Sequence, residues 1–241
     1  MGVEYERWLI AKGSNFLPSA GALVKLVERL RKEGWIGNTG GVAVKTVETS
    51  AGDDARSRLA AGTEPLPAAL TAAWLDHPDR EELRLVWHVE GAAASGLRYP
   101  LSCRPEGQVD YCVELHRASD YIYPVSQGIA PLACRCSCGE ELSFEWDPEE
   151  VVPAFGASTG IFAECEACSR TFDPAKGSAE IENPFDGTRS SVRGGAAYRF
   201  ALKVDCGKCF VADAALSFAP ELLASLEEEF GREFLQIGAV Y

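Results

Sequence analysis

Three short stretches hold most of the sulfur in this chain. "CRCSCG" runs from Cys134 to Gly139, "CEAC" from Cys165 to Cys168, and "CGKC" from Cys206 to Cys209; Cys103 and Cys112 stand apart. Thiols this close together form disulfides, hold a metal ion or exchange electrons. Nine cysteines is an odd count, and clustered short spacings favour metal ligation over a disulfide framework. A reducing compartment disfavours disulfides as well. We read the chain as cytoplasmic: "MGVEYERWLI" has no basic segment followed by an apolar stretch, and no run approaches the roughly 18 apolar residues that cross a bilayer.

A structural metal site made of thiolates is usually presented as two close pairs. "CSCG" and "CEACSRTF" both fit, and a glycine after the second cysteine lets the backbone turn without a Cβ penalty. The strand-like stretches "EELSFEW" and "GIFAE" lie between them. Over residues 131–176 this resembles a zinc ribbon, two knuckles joined by a β-hairpin. The resemblance implies zinc as cofactor and Cys136, Cys138, Cys165 and Cys168 as ligands. The first knuckle departs from the commoner two-residue gap, so Cys134 is an alternative to one of its thiols. Four thiolates close the coordination sphere and leave no position for Lewis-acid chemistry. An iron–sulfur cluster is the competing cargo, disfavoured by the extended spacing and the lack of a compact ferredoxin run. Large apolar residues are few here, chiefly Leu142, Phe144, Trp146, Phe155, Ile161, Phe162 and Phe172. So small a core seldom stands alone, and structural zinc supplies about 10–16 kcal/mol of apparent binding energy coupled to folding.

"CGKC" follows the strand-like "FALKVD", where thioredoxin-like proteins carry a redox pair, and Lys208 between the thiols favours a thiolate. The following "FVADAALSFAP" makes a poor helix for that role. Cys206 and Cys209 are therefore open to four readings: ligation with Cys165 and Cys168, a second site with Cys103 and Cys112, a thiol–disulfide exchange pair, or plain packing with no assigned role. No residue is assigned a catalytic role. "GNTGG" (Gly37 to Gly41) lacks the lysine and hydroxyl of a phosphate loop, and no serine sits in a nucleophile elbow. His77 in "DHPDR" reads as a turn residue.

These groups need elements to place them. "VEYERWLI" (Val3 to Ile10) reads as a strand, followed by a helix over about Ser19 to Glu33, with Leu23, Leu26, Val27 and Leu30 on one face. Ser19 suits its cap and Gly34 its stop. "GGVAVKTVET" is a strand; residues 50–67 read as a loop. In "LRLVWHVE", Leu83, Leu85, Trp87 and Val89 alternate with Arg84, Val86, His88 and Glu90. In "VDYCVELH", Val109, Tyr111, Val113 and Leu115 alternate with Asp110, Cys112, Glu114 and His116. Paired, these strands would set acids, imidazoles and a thiol side by side; a solvated face with cross-strand ion pairs is the reading preferred here. "GSAEIENPFDGTRSSVRGG" reads as a polar return loop. In "YRFALKV", Tyr198, Phe200, Leu202 and Val204 share a side; "PELLASLEEEFG" is a Pro-initiated helix, and "FLQIGAVY" a last strand.

Both ends thus run strand, helix, strand. The fold class expected is α+β: a ferredoxin-like antiparallel sheet with two helices on one face and an inserted zinc ribbon. Residues 1–130 with 195–241 form the body, and 131–180 the inserted subdomain, with its return loop reaching 194.

A net charge of −13 repels phosphate backbones and anionic lipid. Between Pro131 and Glu180 the only bases are Arg135, Arg170 and Lys176, against ten acids. A nucleic-acid-reading ribbon has the opposite sign. The expected role leans away from an enzyme, towards an adaptor or assembly subunit whose partner is another protein with a basic surface; thiol–disulfide exchange at Cys206 and Cys209 is the second expectation, and nucleic-acid association the third. Glu227, Glu228 and Glu229 are a candidate contact or a solvated helix face.

Overall fold

The helices begin and end at their sequence signals. In the computed structural model α1 spans Ala20–Lys32, and Ser19 caps it by accepting the Ala22 N–H at 3.2 Å. Its C-terminus closes with two reversed bonds, Gly34 N–H to Arg31 O at 3.0 Å and Trp35 N–H to Leu30 O at 2.9 Å. That geometry needs Gly34 at φ +80°, in the left-handed region. α2 spans Pro220–Phe230, with proline in its first turn and Gly231 left-handed at its end. The structure describes residues 5–12, 15–38, 41–45, 60–61, 82–89, 96–102, 110–122, 133–142, 164–173, 176–182, 189–193, 198–205 and 217–240.

Seven strands make one antiparallel sheet: β1 Tyr5–Ala11, β2 Gly41–Lys45, β3 Ala60–Ala61, β4 Glu82–Val89, β5 Tyr111–Ile122, β10 Tyr198–Asp205 and β11 Phe234–Val240. Their order is β11-β1-β10-β5-β4-β2-β3. Period-2 patterning fixes the register, because a one-residue slip would turn every apolar side chain away from the core. Leu9, Leu202, Leu115 and Leu85 consequently form one row across four strands. None of the four is more than 2% exposed. They pack with Leu23, Leu26, Leu30, Leu222 and Leu226 of the helices in a single cluster. Each such side chain contributes about 1.5–3 kcal/mol on burial. The helices are also clamped to each other: Arg29 bonds Glu33 at 2.9 Å and Glu228 of α2 at 2.6 Å.

The α+β class with two helices on an antiparallel sheet is present; the expected four-strand order is widened. A ferredoxin-like sheet would put β10 beside β2, and here β5 and β4 stand between them. Alternating antiparallel pairs still leave β1 and β2 pointing the same way, and likewise β10 and β11. The alternation in β4 and β5 was legible, but not their insertion at the centre. Within the expected loop 50–67, Ala60 and Ala61 pair with Val42 and Gly41 as β3.

A second sheet, in the order β7-β6-β8-β9, joins β6 Ala133–Arg135, β7 Glu141–Leu142, β8 Ser178–Glu182 and β9 Arg189–Arg193. Here the return loop needs correction. Residues 178–193 supply an antiparallel pair, with Ser178 opposite Arg193 and Glu182 opposite Arg189. Alternation in "SAEIE" and the turn-forming Asn183-Pro184 and Asp186-Gly187 were its signals, masked by high polarity. "GIFAE" lies almost wholly outside the described residues, and of the strand-like "EELSFEW" only Glu140 to Leu142 fall within them, with Glu141–Leu142 as β7. Among the described residues, no helix is long and apolar enough to cross a membrane.

Candidate metal centre

Two turns bring the four expected cysteines together. β6 delivers the chain to Cys136, whose N–H bonds Glu140 O at 2.8 Å while Gly139 N–H bonds back to Cys136 O at 2.9 Å. Gly139 takes φ +96°, which a Cβ would resist. The second turn repeats the plan: Cys165 N–H bonds Arg170 O at 2.9 Å, and Ser169 N–H bonds Cys165 O at 2.7 Å. Ser169 adopts φ 51° without being glycine. Glu164 and Thr171 bridge the base of this turn.

The sulfurs of Cys136, Cys138, Cys165 and Cys168 all lie within 4.8 Å of one another, an arrangement that can hold a metal ion. Across the two knuckles, Cys136 Sγ is 3.6 Å from Cys168 Sγ, and Cys138 Sγ is 3.6 Å from Cys165 Sγ. The set of four forms without Cys134, whose backbone lies in β6 opposite Leu142 and Ala179. Backbone N–H groups two residues on point at three of the sulfurs: Cys138 at Cys136, Glu140 at Cys138, and Arg170 at Cys168. The Cys138 N–H is the main reason the Cys136 thiol is brought down to about 6. At Cys168 the Arg170 N–H pulls the same way, but burial and the neighbouring thiols push it up to about 12. The two thiols are pushed in opposite directions. Crowded thiols must share protons in this way unless a cation neutralises them.

Phe172 and Leu142 are buried beside the knuckles, at 4% and 6% exposure. Gly177 lets Phe172 in: a Cβ there would meet the Phe172 ring at 2.3 Å and Arg135 O at 2.9 Å. Of the other apolar residues expected in this lobe, Phe144, Trp146, Phe155, Ile161 and Phe162 lie outside the described residues.

A second polar group sits on the sheet face turned away from the helices. β4 and β5 are neighbours, with Arg84 opposite His116 and His88 opposite Cys112. The solvated-face reading fails at its centre, because His116 is only 1% exposed. Its Nε2 lies 2.7 Å from a Glu114 oxygen, so that nitrogen carries the proton, and Nδ1 accepts from the Tyr198 hydroxyl at 3.0 Å. Burial holds His116 below its ordinary range, against the opposing pull of Glu114. Burial works against ionisation of Glu114 too, but the bond from His116 and the charges of Lys203 and Arg84 outweigh it and keep the carboxylate ionised. Burial, with Glu114 and Asp205 nearby, pushes Cys112 up to about 12, so it is an inert thiol.

The sequence reading missed three contributors to this group. Trp8 from β1 stands edge-on to His116, with ring centroids 5.2 Å apart, and Lys203 of β10 approaches both Trp8 and Glu114. Tyr198 was expected on the side of Phe200; the pairing with β5 shifts register between the two residues, and Tyr198 meets His116 instead. His88 is exposed. Cys206, Cys209, Cys103, Glu90 and His77 lie outside the described residues.

Comparison with protein-family profiles, curated proteins and solved structures returned no match for this chain. The functional reading therefore rests on the site itself.

Proposed function

We propose that Cys136, Cys138, Cys165 and Cys168 hold one structural zinc ion, and that the chain is a zinc-stabilised, non-enzymatic adaptor or assembly subunit. The observation that carries the reading is the convergence of four sulfurs within 4.8 Å from two turns. Zinc suits an all-thiolate tetrahedral set, has no redox chemistry of its own, and needs no open position to stabilise a fold. We read residues 131–180 as an inserted zinc-ribbon subdomain with a return segment to 194, on a body of 1–130 and 195–241 that is an expanded ferredoxin-like sheet.

The partner follows from charge. A net charge of −13, made more negative by four thiolates around one divalent ion, favours a protein with a basic surface and works against nucleic acid. The acidic helix is a weaker candidate for the contact than its composition suggests. Glu228 is engaged by Arg29, and Glu227 accepts the Phe234 N–H at 3.2 Å.

Metal analysis of protein purified without added metal tests the site. About one equivalent of zinc is expected, falling below about a tenth in the double variant Cys136→Ser/Cys165→Ser. Full occupancy in that variant, or less than half an equivalent in the wild type, rejects the assignment. Co-purification from the native host tests the adaptor role, which predicts an associated protein that salt removes.

A further inference from the structure

We propose that the four-thiolate site is a directed oxidation site: a peroxide attacks Cys138, and Cys165 resolves it into a disulfide that joins the two knuckles. This rests on the zinc reading above. The four cysteine residues are not equally exposed. Cys138 is exposed and Cys168 intermediate, whereas Cys136 and Cys165 are buried, at 6% and 0% exposure. A metal-bound thiolate keeps nucleophilic character, and susceptibility to oxidation follows thiolate character together with exposure. A reagent arriving from solvent meets Cys138 first.

All four sulfurs lie within 4.8 Å of one another, and the closest approach orders the second step. The sulfur 3.6 Å from Cys138 across the site is that of Cys165, while Cys136 is matched in the same way with Cys168. In the first step the Cys138 thiolate attacks one peroxide oxygen, the O–O bond breaks, and with one proton the products are a sulfenic acid and water. In the second, the Cys165 thiolate attacks the sulfenic sulfur, the S–O bond breaks, and a further proton carries the oxygen off as water. Two thiolates have lost two electrons, and one peroxide has become two waters. With two of its four donors consumed, the chain no longer holds the ion.

The consequence lies in which residues are joined. A Cys138–Cys165 bond links the same two turns that the metal links, so oxidation exchanges one staple for another. Cys136 and Cys168 remain as a second close pair for a second peroxide. Cys112, a thiol pushed up to about 12 and partly buried, is the internal comparison and reacts last.

The test uses the full chain, with its zinc content measured beforehand. Hydrogen peroxide is added with dimedone, which traps sulfenic acids, and peptides are mapped by mass spectrometry; a parallel sample without trap is mapped unreduced while a chromophoric chelator reports released zinc. The proposal expects the first adduct on Cys138, a first disulfide between Cys138 and Cys165, and zinc release in step with that disulfide. Cys138→His keeps a fourth ligand while removing the exposed thiolate, and slows peroxide-driven zinc release by at least about tenfold. A first adduct on another cysteine, a first disulfide between another pair, or an unchanged release rate in Cys138→His overturns the proposal. If the untreated chain carries no zinc, the metal reading itself fails, and the oxidation step falls with it.

Discussion

Replacing His116 by Gln keeps a donor and an acceptor in place but removes the titratable ring, and so isolates what that ring does at different pH. Because His116 is held below its ordinary value of 6.5, the unfolded chain binds the proton more readily than the folded one. Stability is then fully present above about 6.5 and declines as pH falls through that value. Glu114 adds a second loss of the same sign: it is depressed from 4.5 to about 2, so its contribution goes as pH drops through that interval. Amide protection factors in β5 and β10, which are corrected for the intrinsic pH dependence of exchange, should therefore fall between pH 7 and 5 in the wild type and much less in His116→Gln. Equal slopes in the two proteins would remove His116 from the account.

Strands and turns carry their own consequence at Gly177. Alanine there must displace the Phe172 ring or the Arg135 carbonyl, both closer than ordinary contact allows. Overpacking of this kind costs about 1–3 kcal/mol, enough to weaken retention of the proposed zinc ion roughly tenfold. Ser169→Gly makes an informative companion, since Ser169 already sits at φ 51° and glycine accepts that conformation freely. Competition with a chelator of known affinity measures both variants; weaker retention in Gly177→Ala with no loss in Ser169→Gly is the expected pattern. Much of the element scale was legible beforehand. Ser19, Gly34, Pro220 and Gly231 mark helix ends through local hydrogen bonding and backbone sterics, and they occur where expected. The β8–β9 pair was not legible, because its alternation is carried by small and charged side chains that look like loop composition.

The two sheets differ in the buried apolar side chains that accompany them. The seven-stranded sheet rests on a broad apolar cluster with both helices. The four-stranded sheet has Phe172 and Leu142 as its buried large apolar side chains among the described residues, beside a cluster of thiols. Removing the proposed ion with a strong chelator is therefore expected to deprotect the amides of β6, β7 and β8 while β1, β5 and β10 keep their protection. Hydrogen exchange followed by mass spectrometry reads this directly. Uniform deprotection would mean that the metal braces the whole chain, and no change would mean that the small sheet stands without it.

By itself the sequence determined the helices with their caps, the alternating strands, the α+β class and the four cysteines able to meet. Each is a matter of residues near one another along the chain or of a recognisable spacing. Only the tertiary structure decided that β4 and β5 separate β10 from β2, and that one sheet face buries its histidine. Strand order and register depend on contacts between distant segments: one partner of His116 is Tyr198, 82 positions away, reached across a register shift that no local pattern announces. Non-local packing buried His116 within a face of alternating polar residues, and the same packing sets which of four equivalent-looking cysteines is exposed.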